Sequence, residues 1–586
     1  MSTFCVFCAF SRLYKTLRIT KKVKWGDIVH KKMTILYRFI FCLIVIFLTL
    51  APEAAEPVED SLYIALPAGP KSLNFFGATD FWSTKVLRFF HMPLYIHGPI
   101  DGKTIPWLAE SPPGYGDQPN EVIIKLREAK WDDGSDMTSD DLIFTVKVIQ
   151  EFNVPSHIEK WQDVVNMQAV DRRTIKFTLK HRSPGFFNRT LFTSFVQKKE
   201  WEPIVRSARE CDDPLKKLTD FDPQKVPSNG PFLLKTYTKP FFIVLKNNPY
   251  FFAKGRTIGG IRVGPYVETI FLGLNRDAKK SLSELKEGEI DFLWWDLPRG
   301  FINELDQKPN MTLYRTERKG YDYLAFNLTK PPFSDPAFRR AVALMVNRGQ
   351  IVRRVLRGDG KPVYSVIPPQ NAFWSNPSLG DPGSGLATEE RVDRSKKILQ
   401  KAGYSWKDGG LIMPGGQKMV PMEIITTAGW RRPCRLMVAL HIKKALSKIG
   451  VPVTARVQTL HKVIALLKKN SFDAYIMGWA NLSDDPDYLR TFFHSSEARP
   501  GGKNYPRFRS SSFDELADSA SREMDMTERK RLVFEMQELI VREIPCIPLY
   551  TRNRVEAVRD DRLKGWVQMA GGIGNLWSFV NLKPAK

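Results

Sequence analysis

Cysteine is scarce, with six residues in 586, and three of them, Cys5, Cys8 and Cys42, fall near the amino terminus. The other three, Cys211, Cys434 and Cys546, are odd in number and far apart, so no disulfide framework organises the fold and at most one bridge is possible. Histidine is equally thin. Eight residues are scattered along the chain, His91 and His97 being the nearest pair, with no H-E-x-x-H run, so no metal site is expected. Motifs for covalent and phosphate chemistry are also missing. Gly383-Ser384-Gly385 lies in an Asp-Pro loop rather than a G-x-S-x-G elbow, Gly358-Asp359-Gly360-Lys361 lacks phosphate-cradle spacing, and Gly572-Ile573-Gly574 lacks the third glycine of a dinucleotide loop. The carboxylates Asp132, Asp133, Asp136, Asp140 and Asp141 do not follow the calcium-loop pattern and suit a turn and a helix cap instead. Nothing nominates a nucleophile or a tuned acid-base pair, so binding is expected rather than catalysis, with no cofactor.

Negative charge is outnumbered, 63 acidic against 88 basic residues, for a net charge of +25. The excess is dispersed: residues 1 to 50 hold nine Lys or Arg and one Asp, and the rest is spread without a basic block beside an aromatic platform. No nucleic-acid partner is expected. Long apolar runs are few. The run Tyr37 to Leu50 follows Lys31, Lys32 and Arg38 and precedes Ala51, Ala54 and Ala55, which is the layout of a secretory signal and short for a membrane span. The expectation is export, periplasmic or beyond, with a signal segment over about 33–55 and Met33 as the start. Glu53 spoils a clean A-x-A cleavage site, so retention as an amino-terminal anchor stays open.

A chain of this length exceeds one hydrophobic core. Strand alternation is read at Ser61–Leu66, Glu121–Leu126, Thr174–Leu179, Phe242–Lys246, Ile290–Trp295 and Tyr321–Leu328. Thr138 with Asp141 forms a capping box that starts a helix at Ser139. A helix is expected over Thr84–Tyr95, and a long one from Pro336 to Leu356 ahead of Gly358. Met422–Thr427, Cys434–Ile449 and Val451–Val457 read as a β-α-β unit with a local parallel sheet. The fold class is therefore mixed α/β. The stretch Phe472 to Phe493 draws attention because a strand breaks at Gly478-Trp479 into an acidic loop; its plain alternative is a buried Trp before an Asp-Pro turn.

Several segments, taken in order, resemble the family 5 extracellular solute-binding proteins, the peptide, nickel and oligosaccharide receptors of bacterial ABC importers. They are W-D-D-G-S-D-M-T-S-D-D-L-I-F-T (131–145), N-G-P-F-L-L-K (229–235), L-K-E-G-E-I-D-F (285–292), F-N-L-T-K-P-P-F-S-D-P-A-F-R-R-A-V-A-L-M-V-N-R (326–348), S-K-K-I-L-Q-K-A-G-Y (395–404), the Gly478-Trp479 stretch and E-I-P-C-I-P-L-Y (543–550). The resemblance implies a two-lobed periplasmic-binding-protein fold with a hinge and an inserted subdomain. By that template, 1–55 is leader, 57–98 with 225–318 and 480–586 is the first lobe, 99–224 is the insert, and 319–479 is the second lobe. It implies a monomer that captures a small solute, peptide-like in the first instance, and delivers it to an inner-membrane ABC permease. The alternatives are an oligosaccharide, opine or metal chelate, or a chaperone or enzyme on the same scaffold.

The ligand contacts so implied are Trp479, Trp295, Tyr323, Phe326, Phe75, Trp430, Arg431 and Asp484, with Gly320 and Gly478 at the hinge. Each aromatic has a plain role in a core, and Arg431 with Arg432 an equally plain one on the surface. Peptide-binding relatives place an aspartate four residues after the Gly of the Gly-Trp pair. Here that position is Leu482, which argues against a simple free-amine peptide.

Overall fold

The computed structural model of the chain describes residues 60–585, apart from 101, 428–433, 480 and 481. In chain order its principal strands are β1 (Ser61–Ala65), β2 (Gly114–Tyr115), β3 (Glu121–Lys125), β4 (Val164–Ala169), β5 (Thr174–Leu179), β6 (Phe232–Thr238), β7 (Phe242–Asn247), β8 (Thr269–Gly273) and β9 (Phe292–Leu293). Next come β10 (Met311–Glu317), β11 (Asp322–Phe326), β12 (Lys361–Pro362), β13 (Met422–Thr427), β14 (Val453–Gln458), β15 (Ala474–Gly478), β16 (Cys546–Thr551) and β17 (Asn553–Arg559). They form a seven-stranded sheet, β10-β17-β9-β1-β8-β7-β6, a six-stranded sheet, β12-β16-β11-β15-β13-β14, and a four-stranded sheet, β2-β3-β5-β4.

Side-chain alternation explains the layering. In β11, Tyr323 and Ala325 join one apolar cluster while Leu324 and Phe326 join another, so the second sheet is packed on both faces. The first sheet is likewise covered on both faces. The four-stranded sheet lies within 99–224 and rests on helix α1 (Ser139–Glu151), whose Thr138–Asp141 capping box forms as read, the Thr138 N–H donating to Asp141 at 2.9 Å. Helix α2 (Pro336–Met345) lies on the second sheet, and helix α3 (Cys434–Ser447) joins the parallel strands β13 and β14. The opposite face is covered by α4 (Leu460–Lys468), α5 (Tyr488–Phe493), α6 (Ser511–Arg522) and α7 (Met526–Glu543).

The structure departs from the sequence expectations at four places. The long helix from Pro336 stops at Met345, where Asn347 caps a new turn and Arg348 turns inward to donate to the Pro548 carbonyl at 2.7 Å. The helix expected over Thr84–Tyr95 instead spans Phe81–Leu87, because the Asp80 side chain caps it, and Tyr95 belongs to a strand. Strand pairing in Ile290–Trp295 is confined to Phe292 and Leu293. The return to the first sheet, expected at 480, falls at Arg552. The apolar run Cys546–Thr551 is buried at every position and pairs with both β11 and β12, which makes it an interior strand of the second sheet. Among the described residues no helix is long and apolar enough to cross a membrane.

Candidate functional site

Register fixes where the two sheets meet. Strands β1, β8 and β9 are parallel, as are β13, β14 and β15, and ligands of α/β sheets gather at the carboxyl ends of such strands. Glu317 of β10 pairs with Asn553 of β17 at the edge where β9 ends, and Asp322 of β11 pairs with Gly478, the last residue of β15. Both chain crossings therefore lie at carboxyl ends: 318–321 leads from the first sheet into the second, and Arg552 leads back from the second into the first. The segment after β15 runs beside the first crossing, with the Trp479 N–H donating to Tyr321 at 3.0 Å and the Leu482 N–H to Lys319 at 2.6 Å.

Gly478 has a steric reason to be glycine. A Cβ there would come 1.8 Å from Asp322 Oδ1 and 2.8 Å from the Tyr321 carbonyl. Asp322 is held in that position by Arg435 at the start of α3, whose Nε donates to it at 3.0 Å while Nη1 donates to Thr427 Oγ1 at 2.8 Å. This buried clamp ties the ends of β13 and β15 to the start of β11.

The expected site residues separate into three groups. Trp479 stacks on Phe492 at 4.1 Å and on Tyr323 at 6.1 Å, beside a cavity of only about 20 Å³, the size of one water. With Gly320, Gly478 and Asp484 these residues gather at the first crossing. Trp295, Phe326 and Phe75 are core residues: Trp295 packs with Leu285 and Leu305 below the first sheet, Phe326 stacks on Phe333 on the face opposite Tyr323, and Phe75 stacks on His157 at 4.6 Å. None of the three exposes more than 5% of its surface, so they offer no ligand wall in this structure. Trp430, Arg431 and Arg432 lie outside the described residues.

Asp484 is engaged from within: Lys319 Nζ donates to it, and His97 Nε2 lies 3.8 Å away. Burial lowers the His97 pKa, only partly opposed by Asp484, which leaves the imidazole neutral at pH 7. The following acids are spoken for as well. Asp485 takes two bonds from Arg529 at 2.8 and 3.0 Å, and Asp487 pairs with Arg189 at 2.9 Å. The loop thus seals the far rim against the insert, aided by Asn188 Nδ2 donating to Asp485 at 2.8 Å and by Lys503–Glu159 at 3.1 Å.

Sequence reasoning missed the basic side chains at this edge. Lys85 lies 6.0 Å from the ring of Trp294, the residue that follows β9, and Arg88 caps the same short helix. Their i, i+3 spacing places them on one helix face, a signal present in the sequence. A larger cavity, about 640 Å³, lies elsewhere, walled by Leu344, Arg348, Ile398, Ile540 and neighbours. Its lining comes from 340–398 and 540–548, away from both crossings.

Residues 103–500 match the sequence model of the bacterial extracellular solute-binding proteins, family 5 Middle. The chain belongs to this family. The oligopeptide-binding protein AppA of Bacillus subtilis is 25% identical over 449 residues, covering 76% of this chain and 77% of AppA. The AppA structure with a nonapeptide superposes with a TM-score of 0.72 at 23% identity, over 90% of this chain and 99% of that one. NikZ of Campylobacter jejuni in complex with Ni(L-His) gives 0.73 at 20% identity, over 90% and 100%. AgaA of A. tumefaciens R10 with agropinic acid gives 0.67 at 22% identity, over 90% and 99%. The two-lobed fold is common to all of them, and their stated ligands differ in kind. Members of the family are binding proteins.

Proposed function

We propose that this chain is the exported receptor of an ABC importer, which closes its two lobes around a peptide or peptide-like solute and hands it to an inner-membrane permease. The observation that carries this is the pairing of two sheets at their carboxyl ends through two short adjacent crossings, with a polar rim opposite them. Such an arrangement gives a cleft whose walls move relative to each other by rotation of a few backbone bonds. Trp479, Tyr323 and Phe492 form the aromatic side of that cleft, and Gly320 and the Arg552 crossing form its hinge. Export rests on the signal-like segment at about 33–55, and a monomer suffices for the task.

A ligand that binds only the folded state stabilises it by RT ln(1 + [L]/Kd), about 2.7 kcal/mol at a hundredfold excess over Kd. A thermal-shift screen of Glu59–Lys586, the compact unit of the chain, against peptides, opines, oligosaccharides and metal chelates should therefore give saturable stabilisation. Hydrolytic turnover without any saturable stabilisation overturns the proposal. The solute class that stabilises separates the peptide reading from the other ligands.

A further inference from the structure

We infer that the solute bound in the cleft carries at least two anionic groups, an acidic peptide-like compound, received by Lys85, Arg88 and Lys160. The inference rests on the receptor reading and adds the charge of its ligand.

It follows from accounting for the charges around the cleft. Among the described residues the acids there have cations of their own: Asp484 has Lys319, Asp487 has Arg189, Glu159 has Lys503, Asp296 has Arg318, Asp322 has Arg435 and Asp359 has Arg552. Glu556, a carboxylate whose charge acts on Lys85, accepts from Arg554 Nη2 at 2.7 Å and from the Ile573 N–H at 2.9 Å. Three cations are left over. Among the described residues, Lys85, Arg88 and Lys160 have no carboxylate within ion-pairing distance, and Lys85 lies 5.7 Å from the ring of Phe81 and 6.0 Å from that of Trp294.

Lys85 is half-buried, while Arg88 and Lys160 are open to solvent. Desolvation by the surrounding protein lowers the Arg88 pKa. Lys85 is pushed down to about 7, first by burial and then by Arg88 and Arg554. Lys160 is lowered by burial and by the like charge of Arg88, against Glu159, which raises it, with Arg189 adding to the lowering. A favourable helix carboxyl terminus would raise Lys85 instead. The cluster is thus held together against its own repulsion, and an anion entering among the three relieves it. Chemistry and position agree: the group sits at the carboxyl edge of the first sheet beside Trp294, between the crossings and the sealed rim.

The test is titration calorimetry of Glu59–Lys586 with di- to pentapeptides in acidic, neutral and basic versions of equal length, alongside a dicarboxylate opine. Acidic members should bind about tenfold or more tighter than neutral ones, with a preference that shrinks as salt is added. Arg88→Gln and Lys160→Gln should each remove about tenfold of the acidic affinity. Neutral-peptide affinity should not fall with either, since less like charge is then buried on closure, and Lys280→Gln, on an outer helix, should change nothing. Equal binding across charges, tighter basic ligands, or variants that keep full acidic affinity overturn the inference and leave the receptor reading standing. Failure of every solute to bind overturns both.

Discussion

Removing Arg529 tests whether the acidic loop after Trp479 serves structure rather than ligand. Asp485 and Arg529 are almost wholly buried, with 0% and 1% of their side chains exposed, and are joined by two parallel bonds of 2.8 and 3.0 Å. Arg529 also donates to the Ala520 carbonyl at 2.8 Å and lies 5.1 Å over the Trp374 ring. Arg529→Met keeps much of the packing stem but strands a buried carboxylate, which costs about 3–5 kcal/mol. At about 1 °C per kcal/mol for a cooperative unit of about 530 residues, Tm should fall by roughly 3–5 °C, read by circular dichroism or tryptophan fluorescence. The acid limb should move too. Burial raises the Asp485 pKa, but the Arg529 and Asn188 bonds together outweigh it and hold the carboxyl below its usual value. A depressed carboxylate contributes stability above the unfolded pKa, about 3.9, that is lost as pH falls through the folded value. Without Arg529 only the Asn188 and Asp487 N–H bonds oppose the burial effect, so acid unfolding should begin at higher pH. Asp485→Asn combined with Arg529→Met should recover much of the loss, since no charge is then stranded. A loss below about 1 kcal/mol, the worth of an exposed pair, refutes the reasoning.

Other outcomes are expected from the same geometry. Trp479→Ala should weaken solute binding about tenfold or more by removing the stacked wall, measured by calorimetry; unchanged affinity would make Trp479 a core residue only. Gly478→Ala should drive a methyl into the Asp322 carboxylate, disturb its bonds to Arg435 and destabilise the second lobe by about 1–3 kcal/mol in urea unfolding, whereas a wild-type midpoint contradicts the close approach. Affinity for an acidic solute should rise as pH falls from about 8 to 6, because Lys85, facing Arg88, Arg554 and Glu556, gains its proton near pH 7; a flat profile across that window counts against its role. Small-angle scattering should show compaction on adding saturating ligand, and unchanged dimensions would speak against closure.

Much of the fold was legible because its signals are local. The Thr138–Asp141 capping box, the alternation of Thr174–Leu179 and the β-α-β order through Val453 each depend on neighbours in sequence. The break at Val346 was hidden, since it is made by Arg348 reaching the Pro548 carbonyl two hundred residues away. The late return of the chain was hidden for a similar reason: only pairing with β11 reveals Cys546–Thr551 as an interior strand. At the site, Gly478-Trp479 announced itself through a broken strand, whereas the role of Trp295 turned on which side of the sheet it packs beyond a two-residue strand. Lys85 and Arg88 carried a visible i, i+3 spacing, but their significance is that no acid answers them, and that is a property of the folded charge balance.

That balance also bears on what closes the lobes. The rim pairs Arg189–Asp487 and Lys503–Glu159 span insert and second lobe, yet the second is half exposed, and such contacts contribute about 0–1 kcal/mol each. Closing an empty cleft over Lys85, Arg88 and Lys160 further withdraws three like charges from water, which opposes the small gain at the rim. Shifting a two-state equilibrium from 1:99 to 99:1 takes about 5.5 kcal/mol of differential binding. Two charge-assisted contacts at about 1.5–3 kcal/mol apiece supply that order of energy, and they exist only when an anion sits between the closed walls. A neutral solute of equal size fills the same space and makes the same stacking contacts with Trp479, but leaves the repulsion in place. Selectivity and closure are therefore one property of this cleft: the charge that makes a solute bind is the charge that lets the lobes meet.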